Sequence, residues 1–537
     1  MASLATTPHA APRGRSTRVP APPAWLVGAG LLVGLLGLLP IGYLVVLALS
    51  SEDAAALVVR DRTLAVLGRT LLLAGTVTAA AVLVGVPIAW LTTRSDLPGR
   101  RWWTVLTVLP LVVPSYVGGY AIVAAFGPRG ALQSMLEPLG IDRLPDLYGF
   151  PGAALALTLF SFPYVVLTVR GALLRLDPAY EEVSRSLGRG PWRTFLTVTL
   201  PQLRPAITGG ALLVALYSLA DFGAVSLLQF DSFTRAIYVQ YRASFDPTLA
   251  AVLSLMLVAC TAALLISEAS LRGRSRYHRS GGGAARPARR VPLGGWRLAA
   301  LAFCGLVVGL AVLVPLGTIG FWLWRGIAAG EELAVVWGAL LNSVLASGLA
   351  AALAVLASIP VAVLAVRHRG VVSSLVERAT YAGFALPGIV IGLAFVFVAA
   401  RYVPGIYQTL PLLLVAYLVR FVPEAVGVTR ASLLQVSPRI EEVARTLGRS
   451  PGAVLREVPL PIIRPGLLAA GALVFLTAMK ELPATILLAP TGFDTLAIRI
   501  WSATSEGFFS RAAPPALLMV LVAAASLWLL LRQEPGS

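Results

Sequence analysis

Lysine is almost missing from this chain. Of its 43 lysine and arginine residues in a total of 537, only Lys480 is a lysine. A phosphate-binding P-loop needs GxxxxGK[ST], with the lysine on the phosphates. Lys480 stands in LTAMKELPA with no glycine before it, so this polypeptide does not hydrolyse ATP by that route. Cysteine is nearly as scarce. Cys260 and Cys304 fall in or beside apolar stretches and read as small buried residues, with no disulfide or zinc spacing. The three histidines, His9, His278 and His368, fall in a tail, a linker and a polar loop. No His/Cys/Asp/Glu group has metal-ligand spacing, so no metal site is expected. A membrane-embedded enzyme would need converging titratable side chains. None are spelled out here, and no catalytic residue is assigned.

Charge is the next deficit. Only 13% of residues are charged, 57% are apolar, and the mean hydropathy is +0.82. A soluble chain of this length would split into domains with charged surfaces. Instead the apolar residues come in about twelve runs of roughly 20 or more, long enough to cross a bilayer core. They lie near 24–49, 64–93, 103–126, 152–174, 206–229, 247–268, 297–324, 340–366, 379–400, 409–429, 466–489 and 513–531. Lipid offers no partner to backbone polar groups, so the runs are predicted to be helices, and they are too uniformly apolar for barrel strands. The first run exceeds a signal-peptide core and is expected to remain as a span.

The net charge of +18 is a topology signal. Arginines crowd the N-terminal tail and the loops at 94–101, 170–204, 272–290, 367–378 and 430–464. The alternate loops hold acids such as Glu52, Asp53, Asp61, Glu137, Asp142 and Asp146. The positive-inside rule then places both termini and the arginine-rich loops in the cytoplasm of a multi-pass protein of the plasma membrane, surrounded by lipid. Nucleic acid is not an expected partner, because the basic residues are dispersed and lack an aromatic platform.

What the chain does have is a repeat. Residues 181–207 read EEVSRSLGRGPWRTFLTVTLPQLRPAI and residues 441–467 read EEVARTLGRSPGAVLREVPLPIIRPGL, 260 apart without a gap. At the same offset Pro163 matches Pro423, Arg170 matches Arg430 and Asp221 matches Glu481. Upstream the offset is 273: Pro87 matches Pro360, Arg94 matches Arg367, Pro114 matches Pro387 and Gly119 matches Gly392. Six spans per half return the chain to its starting side, so the repeats are parallel. The expected layout is a disordered tail at 1–22, a first unit at 23–270, a Gly/Arg/Pro-rich linker at 271–296 and a second unit at 297–532.

Each copy of the repeat opens with a helix start, Asp177-Pro178 or Ser437-Pro438. Glu181, Glu182, Glu441 and Glu442 suit the positive end of that helix. Val183 and Leu187, like Val443 and Leu447, share a face. Gly188 and Gly448 are predicted left-handed caps. A second short helix would start at Gly190-Pro191 or Ser450-Pro451 and close at Leu200-Pro201 or Leu460-Pro461, with Pro205 and Pro465 opening the next span. A tidy re-entry loop accounts for one such segment. Two copies alike in proline, glycine and carboxylate positions point to a docking element used twice.

These motifs resemble the EAA loop of the permeases of binding-protein-dependent ABC importers. The matching positions are Glu182-Val183-Ser184, Gly188, Val198 and Leu200-Pro201, and again Glu442-Val443-Ala444, Gly448, Val458 and Leu460-Pro461. Valine and Ser184 depart from the family's alanines, and valine from its isoleucine. The resemblance covers nearly the whole chain as two fused units. It implies an all-α membrane protein with the type I importer fold of about 12 transmembrane helices, in two parallel six-helix repeats. It implies coupling to two copies of a separate cytoplasmic ATPase, which would carry the ATP and Mg, through Glu182, Ser184, Gly188, Pro201, Glu442, Ala444, Gly448 and Pro461. It also implies an extracytoplasmic solute-binding protein and no cofactor in this chain. Three further stretches, 114–133, 221–238 and 480–501, resemble fused ferric-iron permeases; fused thiamine permeases, or those for another small solute, are the alternative.

For the path itself, Pro114 and Pro387 break apolar runs, and Gly118, Gly119 and Gly392 allow close helix approach. Tyr116 lies in the same stretch. Asp221, Lys480 and Glu481 are ionisable residues beside apolar spans, which marks either a path or the outer membrane edge. A secondary transporter of the major facilitator type also has six plus six spans. Its acidic-then-GRR loop is matched only loosely by RSDLPGRR at 94–101 and not by RHRGVVSS in the second half.

Overall fold

The computed structural model describes residues 22–532 except 51, 53, 129, 141–144, 244–246, 273–289, 332–334 and 369. The tail, most of the expected linker, Asp53 and Asp142 lie outside the described residues. Among the described residues the regular secondary structure is helical, joined by turns and short loops, apart from one isolated β-bridge between Ser95 and Val291.

Among the described residues, ten helices are long and apolar enough to cross a membrane: Ala24–Leu49, Asp61–Arg94, Phe150–Arg175, Pro191–Ala220, Thr248–Ser267, Gly294–Ala328, Val336–Arg367, Leu410–Leu434, Pro459–Met479 and Phe509–Ser526. Two further candidates, expected as single spans at 103–126 and 379–400, are each broken into a pair. Arg100–Val112 meets Ser115–Gln133 at 99°, and Val371–Ala385 meets Gly388–Tyr402 at 106°. The cause is local. Proline disfavours a helical residue before it. Val113 and Leu386 accordingly sit extended, at ψ 121° and 123°, and Pro114 and Pro387 follow at ψ 149° and 144°.

Two expected runs are also shorter than their apolar length. The run at 206–229 stops as a helix at Ala220, and a separate five-residue helix follows, Gly223–Leu227. The run at 466–489 stops at Met479, with Pro483–Leu488 following. The breaks fall where Asp221 and Glu481 turn back to cap the next helix. Asp221 Oδ1 accepts from the Ala224 and Val225 amides at 3.0 and 3.2 Å. Glu481 Oε1 accepts from the Ala484 amide at 3.2 Å.

The halves interlock. Ala24–Leu49, the first helix of the first half, packs on Val335–Arg367 and Val371–Ala382 of the second. Glycine makes the approach possible. A Cβ at Gly37 would come within 2.8 Å of the Ala379 carbonyl, and one at Gly34 within 3.2 Å of the Ala379 Cβ. In return, Val314–Ala328 of the second half packs on Ser115–Phe126 of the first. Trp322 donates to the Ala124 carbonyl (3.3 Å) and Tyr120 to the Phe509 carbonyl (2.9 Å) across the same seam. Cys304 is buried and Cys260 half-buried, both free, within this apolar packing.

Candidate functional site

The repeated segment forms a short helix, a left-handed glycine and a second helix in both halves. The first helices are Ala179–Ser186 and Pro438–Thr446. Gly188 and Gly448 follow at φ +78° and +80°, a region that side-chain-bearing residues enter only with strain. The expected entry caps are uneven. Asp177 Oδ1 accepts from the Ala179 amide at 3.0 Å, whereas the Ser437 side chain makes no capping bond. Ser450 caps its helix weakly, accepting from the Ala453 amide at 3.4 Å.

The second short helix does not close where the prolines suggested. In the first half, Pro191–Thr194 runs through a π-turn at Phe195–Thr199 straight into Leu200–Ala220. In the second half, Pro451–Glu457 breaks at Val458, and Pro459–Met479 begins at once. Pro201, Pro205, Pro461 and Pro465 therefore lie inside helices. Pro461 sits in the first turn of Pro459–Met479, where a missing amide leaves no carbonyl unpaired, whereas Pro201 lies just past the π-turn within the continuous helix. Each segment is thus mechanically continuous, or nearly so, with a helix of 21 residues, about 30 Å long at 1.5 Å per residue.

One arginine in each half holds this segment in place. Arg367 Nε donates to Glu441 Oε1 at 2.8 Å, and its Nη2 lies 2.7 Å from the same oxygen. Its Nη2 also reaches the carbonyls of Leu433 and Val436 at 3.4 and 3.0 Å. In the first half Arg94 Nη2 donates to the Leu173 carbonyl at 2.9 Å and approaches that of Leu176 at 3.5 Å. It faces Glu181 Oε1 at 4.0 Å. Leu173 and Leu433, and Leu176 and Val436, are each 260 apart, so the two clamps are the same construction. Each guanidinium sits at the carbonyl end of a long helix, where positive charge is favourable. It joins the ends of two long helices and the short helix at one point. Thr199 and Arg185 complete the first site, donating to Glu181 Oε1 (3.0 Å) and lying 3.6 Å from Oε2.

The sequence pointed to Glu182 and Glu442, which are exposed. It missed the role of their neighbours Glu181 and Glu441, buried at 7% and 6% exposure. The signal was present, since Arg94 and Arg367 each close a long apolar run at matched positions. Ser184 is buried and bonded to Thr194 at 3.1 Å, whereas the matching positions of the second half, 260 residues on, are the half-buried Ala444 and the buried Val454. Neither of those residues has a side-chain hydroxyl, so the second half has no counterpart of this hydrogen bond. On the outer side of each helix, Val183 and Leu187 are 59% and 72% exposed, and Val443 and Leu447 are 59% and 77% exposed.

A second site lies at the far ends of the two connecting helices. A cavity of about 120 Å³ is lined by Ser115, Tyr116, Asp221, Lys480, Glu481 and Arg420 among others. The structure therefore brings Tyr116, Asp221, Lys480 and Glu481 together. Asp221 and Glu481 are both buried within the protein. Lys480 Nζ crosses to the first half and donates to the Leu111 carbonyl at 3.0 Å. Arg420 Nε lies 3.9 Å from Glu481 Oε2, and Glu424 accepts from Thr477 at 3.0 Å. Arg420 and Glu424 were not foreseen. They sit within a run that reads as an ordinary span, and only burial beside Lys480 singles them out. Pro114 and Pro387 stand at the bends just beside the cavity. Gly119 and Gly392 are packing positions: a Cβ on them would lie 3.2 Å from the Cα of Ala224 and of Ala484.

The family model for a binding-protein-dependent transport system inner membrane component matches the chain twice, over residues 81–276 and 354–536. The chain belongs to this family. Among its relatives, the Fe(3+)-transport system permease protein FbpB 2 of Haemophilus influenzae is 36% identical over 514 residues, 95% of this chain and 98% of that protein. The putative ferric transport system permease protein FbpB 1 of the same organism is 27% identical over 81% of this chain and 72% of its own length. The molybdenum transport system permease protein ModB of Escherichia coli is 37% identical over 166 residues, 29% of this chain and 69% of that protein. The permease is thus an all-α, multi-pass member in which the family match occurs twice in one polypeptide.

Proposed function

We propose that this permease is the transmembrane subunit of an ATP-driven importer that moves ferric iron, delivered by an external binding protein, into the cytoplasm. The observation that carries the coupling part is the duplicated clamp. Two short helices, each fixed by an arginine to the ends of two long helices, present exposed apolar faces to one side. Such faces fit grooves on two copies of a cytoplasmic ATPase, which would hold the ATP and Mg. Closure of the ATPase pair would push Ala179–Ser186 and Pro438–Thr446. The connecting helices then carry that displacement to the cavity at Asp221 and Lys480. Both termini are assigned to the cytoplasm on the arginine distribution. Relatives named for ferric transport along most of the chain support the substrate.

The test is uptake in a strain deleted for this gene, comparing radiolabelled ferric iron with thiamine, with and without depletion of cellular ATP. ATP-dependent iron uptake should be lost on deletion and restored by the gene. Loss of thiamine uptake instead would discard the substrate and keep the coupling mechanism. Uptake that follows the proton gradient and ignores ATP would overturn the mechanism.

A further inference from the structure

The first coupling segment borders a feature that the second lacks. A groove of about 540 Å³ runs between Trp90, Trp192, Phe195, Leu293, Trp296 and Ala300, with an almost wholly apolar lining. That volume lies in the range of ligand-binding clefts. Its walls come from three places: the end of Asp61–Arg94, the start of Pro191–Thr194 and the start of the second half. Trp90 and Trp192 stack on one side, with centroids 6.4 Å apart and 16° between planes. Trp192 and Trp296 are 67% and 70% exposed. The groove is held open by its own frame. The Val291 amide donates to the Arg94 carbonyl (2.8 Å), the Asp96 amide to the Val291 carbonyl (3.2 Å) and the Leu293 amide to Asp96 Oδ1 (2.9 Å).

Arginines stand next to its lining residues in the chain. Arg290 immediately precedes the lining residue Val291, Arg193 immediately follows Trp192, and Arg100 lies within electrostatic reach of both Arg101 and Arg290. Among the described residues none of Arg100, Arg101 and Arg290 has a carboxylate partner, whereas the nearby Arg297 is 3.9 Å from Asp96. Like charges gathered without counter-ions repel, and an anion relieves that repulsion. The corresponding crevice of the second half differs. It holds about 200 Å³ and is lined by Arg367 and Arg445, which already face Glu441.

We infer that this groove binds one anionic phospholipid of the bilayer, with an acyl chain among Trp90, Trp192 and Trp296 and the phosphate on Arg100, Arg101 and Arg290. Tryptophans at the headgroup level and arginines at the end of an apolar cleft are the two chemistries such a lipid requires. The occupant would contact the π-turn through Phe195, so it would stiffen the first coupling segment and not the second. This reading does not depend on the solute carried.

The full-length permease would be purified in nanodiscs of phosphatidylcholine with phosphatidylglycerol and its retained lipids counted by native mass spectrometry. The parent is expected to retain one phosphatidylglycerol that Arg100→Gln/Arg101→Gln/Arg290→Gln loses. Each arginine near such a headgroup strengthens binding about fivefold, so the triple variant should bind roughly 100-fold more weakly. Brominated phosphatidylglycerol should quench tryptophan fluorescence more than brominated phosphatidylcholine, and Trp296→Phe should shrink that difference. The substituted arginines are surface groups, so folding is checked by unchanged gel-filtration behaviour. Equal retention of the two lipids, or retention unchanged in the triple variant, would overturn the inference.

Discussion

At the scale of single residues, the clamp arginines make the sharpest test. Arg367 and Glu441 are both nearly buried, and removing one member of such a pair leaves the other charged and unpaired, which costs about 3–5 kcal/mol. Arg367→Ala should therefore lower the Tm of the purified protein clearly. Arg367→Ala with Glu441→Ala should recover part of that loss, because no orphan charge remains. Equal losses in single and double variants would show that the pair is not what holds the helix. The caps give a second test. Gly188→Val with Gly448→Val places β-branched residues at φ near +80°, at about 1–2 kcal/mol each. Membrane insertion should survive, measured by immunoblot of the membrane fraction, and ATP-dependent uptake should vanish.

At the scale of elements, the short helices Gly223–Leu227 and Pro483–Leu488 are seated on glycine. Gly392→Leu would bring a Cβ within 2.9 Å of Leu487 Cδ1 and 3.2 Å of the Ala484 Cα. Backbone cannot yield as a side chain can, so overpacking here costs about 1–3 kcal/mol and displaces the helix that Glu481 caps. Uptake should fall steeply while the same substitution at Gly305, which has open space around it, leaves uptake intact. Equal effects at both positions would refute the seating argument. These elements also show what a sequence can carry. Long apolar runs and the glycine caps were legible because each depends on residues close in the chain. The prolines at 114 and 387 gave the position of the bends, but the angle is set by the packing of separate helices. Glu181 and Glu182 are chemically alike in a sequence. Only the arrival of Arg94 from 87 residues away distinguishes them, and the change of offset from 260 to 273 hides that partnership. The charges at Arg420 and Glu424 were obscured in the same way, because their partners Glu481 and Thr477 meet them only in three dimensions.

At the scale of the whole molecule, each half's first helix packs against the other half as well as its own. A tagged first half expressed alone would expose the glycine face of Ala24–Leu49 and the seam around Ala124 to lipid. It should be degraded or aggregate. A chain divided between residues 280 and 281 and co-expressed as two pieces should assemble, and the tag on one piece should recover the other from detergent extract. Stable, monodisperse accumulation of either piece alone would contradict interlocking.

The central cavity carries one more consequence. The clamps repeat, but the lining repeats only in part: Asp221 answers Glu481, whereas Lys480 and Arg420 align at the 260 offset with Ala220 and Phe160. Two identical subunits about a twofold axis would set each such charge against its own image, lysine against lysine, with like charges repelling at close range. Joining the halves in one polypeptide removes that constraint. One wall can be aromatic around a single carboxylate while the other sets cations beside its carboxylate, and the stoichiometry of the two walls is guaranteed at translation. Fusion thus does for the cavity what heterodimerisation does elsewhere: it frees facing surfaces to differ while the two clamps stay alike.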